Sequence, residues 1–264
     1  MRESRVTERV QVNAPFRMLT ETYLDAFLSY RLNPEIGFDG DTLDRVTRGE
    51  VEEVVVKLRE QGLTITCHAP FLDLSPGSLD SAVRRLTRKR FEQVLRLLPV
   101  LQPKTVVCHS GWDHRRYLEL KAVWLEKSLD MWTWFANAVR DQGSRMMLEN
   151  VYERSPEEFL EIYGPLRETG ARVCLDTGHQ AAFGEVPLES WVQGVGRDIG
   201  ELHLHDNRGE WDDHLAPGKG SVDFGLLFKR LPSLLVEPPV ITLEPHHEEA
   251  LWEALAFLEG TLPW

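Results

Sequence analysis

No stretch of this sequence is apolar over anything near the ~20 residues that a membrane-spanning helix needs. The opening MRESRVTERV lacks the apolar core of a secretory signal. A cytoplasmic protein with no membrane partner is the expectation. Cysteine is scarce: Cys67, Cys108 and Cys174 form no CxxC pair and cannot all be joined in one chain. Reduced thiols are therefore expected, not a disulfide framework. Basic residues are also short, 30 against 42 acidic, for a net charge of −12. That disfavours nucleic acid as a partner, because phosphate binding calls for a basic stripe, although net charge does not describe any single cleft. The densest basic run, Arg84, Arg85, Arg88, Lys89 and Arg90, shares a predicted helix with Leu86 and Phe91 and reads as a solvated face. No linker or low-complexity tract interrupts the chain, so residues 1–264 are read as one domain, with a homo-oligomer left open.

What is present is a steady alternation of short apolar runs with longer helical patterns, the mark of repeated βα units. Strands are predicted near 9–13, 34–39, 64–69, 105–109, 145–149, 172–176, 200–205 and 240–244. Helical segments are predicted near 17–30, 42–61, 80–99, 117–142, 156–169, 188–196, 223–231 and 247–259. Eight such units in 264 residues fit a single closed (β/α)₈ barrel better than an open sheet.

Side chains alternate faces along a strand, so parity sorts them. One set is almost wholly apolar: Ile65 and Cys67, Val106 and Cys108, Met146 and Leu148, Val173 and Leu175, Leu202 and Leu204, Ile241 and Leu243. These are expected to pack outward under the helices, which removes Cys67 and Cys108 from the chemistry; Cys174 falls one layer below Asp176. The opposite parity ends in His68, His109, Glu149, Asp176, His203 and Glu244, each at or near the C-terminal end of its strand. Active sites of these barrels lie at that face. One histidine or carboxylate alone would be unremarkable, but Glu149, Asp176 and Glu244 share one mouth with no lysine or arginine at the matching strand ends. Buried carboxylates need compensation, and a divalent cation supplies it. Oxygen and imidazole ligands without thiolate suit Mn²⁺ or Mg²⁺, with Zn²⁺ and Co²⁺ also admitted.

Further candidates lie in the loops. His179 follows Asp176 by three residues, and Asp212 and His214 form a D-x-H pair in WDDHLAPGKG. Gly218 and Gly220 there permit a tight turn; without a lysine-serine pair or GxGxxG, a phosphate cradle is only weakly indicated. Asp213 is expected to be solvated or to hold a neighbouring ligand. His205 has the parity of His203, so parity does not say which of them is the ligand. His114, His246 and His247 read as peripheral.

The order CHAPF, VCHSG, LEN, LDTGH, LHLHDN, DDHLAPGKG and LEPH resembles the xylose-isomerase-like barrel superfamily over about residues 34–245. That group includes sugar and sugar-phosphate isomerases and epimerases, and the endonuclease IV type of apurinic endonuclease (family 2). By resemblance, Glu149, Asp176, His203 and Glu244 match the one-metal site of the epimerases, in which the two glutamates also move the substrate proton. The endonuclease pattern of nine ligands to three zinc ions matches His68, His109, Glu149, Asp176, His179, His203, Asp212, His214 and Glu244. One to three ions are thus implied. Lys219 departs from the acidic residue expected in the endonuclease glycine turn, and the segment after strand two, DGDTLDRVTRGE, is acidic, with no DNA-penetrating insert rich in arginine and aromatics. The leading expectation is a metal-dependent isomerase or epimerase of a small sugar-like carbonyl compound. Glu149 and Glu244 would be its acid and base, while His179, His109, His68 and Arg208 would orient the substrate, Arg208 reading equally as a group close enough to reach an anion or as an ordinary surface arginine. The alternatives are zinc-dependent cleavage of abasic DNA and a non-catalytic sugar-binding or structural barrel with a vestigial site.

Overall fold

Eight parallel strands close into a barrel in sequence order in the computed structural model, which describes residues 6–264. Residues 1–5 of the charged opening stretch lie outside the described residues. The strands are β1 (Gln11–Pro15), β2 (Asn33–Gly37), β3 (Thr66–His68), β4 (Thr105–His109), β5 (Arg145–Glu149), β6 (Arg172–Asp176), β7 (Ile199–Leu204) and β8 (Val240–Leu243). Closure is made by β1 on β8, with Gln11 opposite Thr242 and Val12 opposite Leu243. Among the described residues no helix is long and apolar enough to cross a membrane.

The parity reading holds in three dimensions. All twelve residues assigned outward join one large core with the helices. Phe91 from helix Ser81–Leu101 stacks on Phe135 from helix Lys121–Asp141, with ring centroids 4.6 Å apart. Helix starts are set by side chains that accept the free amides of the first turn: Thr47 and Glu50 form a reciprocal capping box, and Asp39, Asp80, Ser155 and Asp223 cap others. The basic run is satisfied at the surface as expected: Arg88 pairs with Glu92, Lys89 and Arg90 with Asp44. The three cysteines are free and buried.

Inside the barrel the side chains are unequal around the ring. Val107, Met147 and Cys174, from β4, β5 and β6, form a small apolar cluster. The opposite side is polar, with Glu35 and Glu201 both buried. Asn13 donates to Glu35 Oε1 at 2.9 Å, Thr66 to Glu35 Oε2 at 3.4 Å, and Thr242 to Glu201 Oε1 at 3.0 Å. Between β6 and β7 the register shifts at Val173/Cys174 and resumes with Asp176 opposite His203.

Several boundaries differ from the sequence expectation. β1 starts two residues later and β3 is shorter. The segment near 17–30 contains a π-helical turn, Leu19–Tyr23, and the segment near 42–61 is two helices, Gly40–Arg45 and Arg48–Glu60. A short helix after β6, Thr177–Phe183, was not anticipated: seven residues are too few to show a helical period.

Candidate metal centre

His68, His109, Glu149 and Asp176 are the last residues of their strands, His203 is the penultimate residue of β7, and Glu244 directly follows β8. Parallel pairing brings these ends to one mouth, and their side chains converge. Nδ1 of His203 lies 3.0 Å from Glu244 Oε1, 3.6 Å from Glu149 Oε1 and 3.9 Å from Asp176 Oδ2. Nε2 of His68 and Nε2 of His109 face Glu149 Oε2 at 3.2 and 3.4 Å.

A second set is held by the loops. Asp176 accepts the backbone amide of His179 at 2.6 Å, so the carboxylate that faces the mouth also caps the short helix carrying His179. This orients His179 with Nδ1 3.1 Å from Glu149 Oε1 and Nε2 3.4 Å from Asp212 Oδ2. His214 Nε2 approaches the same Asp212 oxygen at 3.2 Å. His205 joins this side: Nε2 bonds Asp176 at 3.0 Å, and its ring stacks on His214 at 3.9 Å. The two histidines of LHLH thus hold different places, His203 among Glu149, Asp176 and Glu244, and His205 between Asp176 and Asp212. His246, read as peripheral, covers the outer face of His214 at 3.8 Å.

All nine residues of the nine-ligand pattern are brought together. Among the described residues, Glu149, Asp176, Asp212 and Glu244 have only histidines at ion-pair distance; no lysine or arginine reaches them. Protons carry the compensation instead. Burial opposes a charge on His68, but the hydrogen bond and charge of Glu149 outweigh it and lift the imidazole to about 9. His214 is raised to about 9 against burial by Asp212 and Glu244. Also against burial, His179 is pushed well above the usual imidazole range by the surrounding carboxylates, and His203 by Cys174 and then the carboxylates Glu244, Glu35 and Glu149. Burial prevails at His109, which falls to about 4. Burial would raise Glu149, Glu244 and Asp212, yet the histidines hold all three well below the usual carboxylate range.

Glu149 Oε1, both ring nitrogens of His203, Nδ1 of His205 and Asp212 Oδ1 are buried with no aligned hydrogen-bond partner. Unpartnered buried polar atoms are costly. These are imidazole nitrogens and carboxylate oxygens, and ligand atoms of His68, His109 and Glu149, of Asp176, His179 and His205, and of His205, Asp212 and His214 lie within 4.8 Å of one another in each group. The donor set fits Mn²⁺, Mg²⁺, Zn²⁺ or Co²⁺.

Above the cluster opens a cavity of about 860 Å³, lined by His68, His109, His179, Asp212, His214 and Glu244 and by Phe38, Phe71, Trp112, Tyr152 and Phe183. Glu244 faces this space, whereas Glu149 is fully buried beneath the histidines. One expectation, a substrate-binding Arg208, is corrected, and the weakly indicated phosphate cradle is not formed. Arg208 is exposed and outside the cavity lining; the chain turns outward after Asn207, and the arginines at the rim are Arg90, Arg115 and Arg116. The glycine turn is no phosphate cradle, because the amides of Gly218, Gly220 and Val222 are all taken by the buried carboxylate of Asp206. Asp213 is exposed, as expected. Sequence reading missed Glu35, Asn13 and Asp206. Parity extended to the first two strands would have placed Asn13 and Glu35 inside the barrel.

A family model described as a xylose isomerase-like TIM barrel matches residues 34–260. Two uncharacterized proteins of Methanocaldococcus jannaschii are 28% and 30% identical over 189 and 208 residues, covering 68% and 76% of this chain. The chain spans 64% of the first and 76% of the second. A probable endonuclease 4 of Mycobacterium leprae is 26% identical over 184 residues, 64% of this chain and 69% of that protein. A D-tagatose 3-epimerase-like protein superposes with a TM-score of 0.79 at 21% identity, over 96% of both chains. A Thermus thermophilus protein soaked with ZnCl₂ does so with a TM-score of 0.79 at 24% identity, over 96% of this chain and 97% of that one.

Proposed function

The chain belongs to the xylose isomerase-like TIM barrel family, and from that membership and the site's geometry we propose that it is a divalent-metal-dependent isomerase or epimerase of a small sugar-like carbonyl compound. One observation carries this reading: Nδ1 of His203 has Glu244, Glu149 and Asp176 oxygens 3.0, 3.6 and 3.9 Å away, with no lysine or arginine at ion-pair distance from them among the described residues. Those four residues would hold the ion. When bound, a divalent cation there supplies Lewis-acid polarisation of a carbonyl. Glu244, the glutamate open to the cavity, takes the proton from the carbon beside the carbonyl. Glu149, from β5 across the mouth, is assigned the complementary proton transfer, relayed past the histidines that cover it. His68, His109 and His179 orient substrate hydroxyls, and Phe71, stacked 4.0 Å from the His109 ring, helps exclude water. The D-tagatose 3-epimerase-like protein with the same fold supports the substrate class.

A second reading has its own support: the nine matched ligands all fall in overlapping groups of close ligand atoms, two of them completed by His205, and a probable endonuclease 4 is among the relatives. It is zinc-dependent cleavage of abasic DNA, with up to three ions. The test is a panel of ketoses, aldoses and their phosphates in D₂O, followed by NMR, beside abasic DNA with Zn²⁺. Solvent exchange of the hydrogen next to a sugar carbonyl is expected, reduced by roughly 10²-fold or more in Glu244→Gln. DNA incision without any sugar exchange would replace the first reading with the second.

A further inference from the structure

Beneath the mouth lies a buried group that the proposed chemistry does not use. Glu35 on β2 and Glu201 on β7 point into the barrel below His203, and ligand atoms of the three lie within 4.8 Å of one another. Glu35 Oε1 accepts from Asn13 and sits 3.3 Å from Nε2 of His203. That approach is at ion-pair distance without hydrogen-bond alignment, and Nε2 has no aligned partner among the described residues. The other nitrogen of the same ring faces Glu244, Glu149 and Asp176. An imidazole binds a cation through one nitrogen and keeps its proton on the other, so whatever accepts that proton decides which nitrogen is free.

We propose that Glu35 is a positioning residue for the metal centre. Held by Asn13 and Thr66, it accepts the Nε2 proton of His203 and so presents Nδ1 to the cation. The inference rests on the metal-dependent reading above. A purely structural Glu35 would be satisfied by Asn13 and Thr66 alone and would be indifferent to the state of His203. Glu201 serves as the control: it is equally buried, but its hydrogen bond is to Thr242.

The test uses the full chain stripped of metal and titrated with Zn²⁺ alone, with ring ¹⁵N shifts of labelled histidine read in the loaded protein. In the unmodified chain, His203 should bear metal on Nδ1 and a slowly exchanging proton on Nε2. Glu35→Gln should weaken Zn²⁺ binding roughly 10- to 100-fold with stoichiometry unchanged, and the Nε2 proton should exchange at least about tenfold faster. Glu201→Gln should stay within about twofold of the unmodified chain, since it does not touch the second nitrogen. Unaltered affinity in Glu35→Gln overturns the inference. So does loss of one whole Zn²⁺ equivalent, which would make Glu35 a ligand, and so does an equal loss in Glu201→Gln. Should Glu35→Gln not fold, Asn13→Ala removes only the brace on Glu35 and is expected to weaken binding several-fold; no change there is equally fatal. Absence of Zn²⁺ binding in the unmodified chain would fell the metal-dependent reading and this inference together, whereas normal binding insensitive to Glu35 would fell this inference alone.

Discussion

Gly178 shows how one missing methyl group shapes the site. A Cβ at this position would overlap the imidazole of His205, whose Nε2 bonds Asp176. The strand end of β7 can therefore approach the turn after β6 only because this residue is glycine. Thr177 donates to the carbonyls of His203 and His205, and Asn207 donates to the Gly178 carbonyl at 2.7 Å, so the contact is braced on both sides. Gly178→Ala is expected to cost about 1–3 kcal/mol, the usual range for overpacking a tight interior, and to lower bound metal by displacing His205. Thermal unfolding together with metal content checks both parts; normal stability and full metal content would show that the ring yields without consequence. The motif LDTGH made Asp176 and His179 legible as neighbours in one site, because residue type and spacing suggest a candidate ligand pair. The reason for its glycine was not legible, since it lies in a ring 27 residues further along the chain, on another strand.

At the scale of elements, the loop after β7 is held by a carboxylate, the aspartate of LHLHDN, to which the sequence reading gave no role. Asp206 is buried and accepts from the amides of Gly218 at 3.0 Å, Gly220 at 2.8 Å and Val222 at 3.0 Å. Its own backbone pairs in both directions with Leu215 at 2.8 Å. These bonds fold the segment back so that Asp212 and His214 meet His179, with His214 itself in the left-handed region at φ 50°. Hydrogen bonds to a charged acceptor contribute about 1.5–3 kcal/mol each, so Asp206→Ala should cost at least about 2 kcal/mol and free the loop. Hydrogen exchange should quicken over residues 212–222 while the strands stay protected; unchanged exchange there would refute the role. The strands themselves were easier to read. β4, β5 and β6 were delimited to the residue because the short apolar runs in TVVCH, RMMLE and RVCLD are each bounded by polar residues, the last of them a candidate ligand. In β3 only three residues pair, since its length is set by its neighbours and not by its own pattern.

For the whole molecule, eight repeated units and one polar parity were enough to place the mouth, but not the charge state of what converges there. That state depends on distances between strands far apart in sequence, and it has a consequence for pH. His68 and His214 are raised to about 9, His179 and His203 lie well above the usual imidazole range near 6.5, and Glu201, raised chiefly by burial, titrates at about 8. A group whose folded pKa is raised stabilises fully below its unfolded pKa, and that contribution is lost as pH rises through the folded value. In metal-free protein the imidazoles' contribution should therefore be lost from about pH 6.5 to beyond 9, and that of Glu201 earlier, from about 4.5 up to about 8. On the acid side, His109, lowered to about 4 by burial, favours unfolding as pH drops below about 6.5. The depressed Glu149, Glu244 and Asp212 add to this at lower pH, their contribution being lost as pH falls below the ordinary carboxylate range. A cation must displace the imidazole protons in order to bind, so its affinity should rise over the same window in which the metal-free protein weakens, by up to about tenfold per pH unit for each proton released. Melting temperatures at pH 7, 8 and 9, with chelator and with Zn²⁺ or Mn²⁺, should thus diverge, the chelated protein falling while the gain on adding metal grows. Calorimetry in buffers of different ionisation enthalpy would count the protons released. A metal-induced gain independent of pH, or binding without proton release, would mean that these histidines do not hold the protons that compensate the four carboxylates.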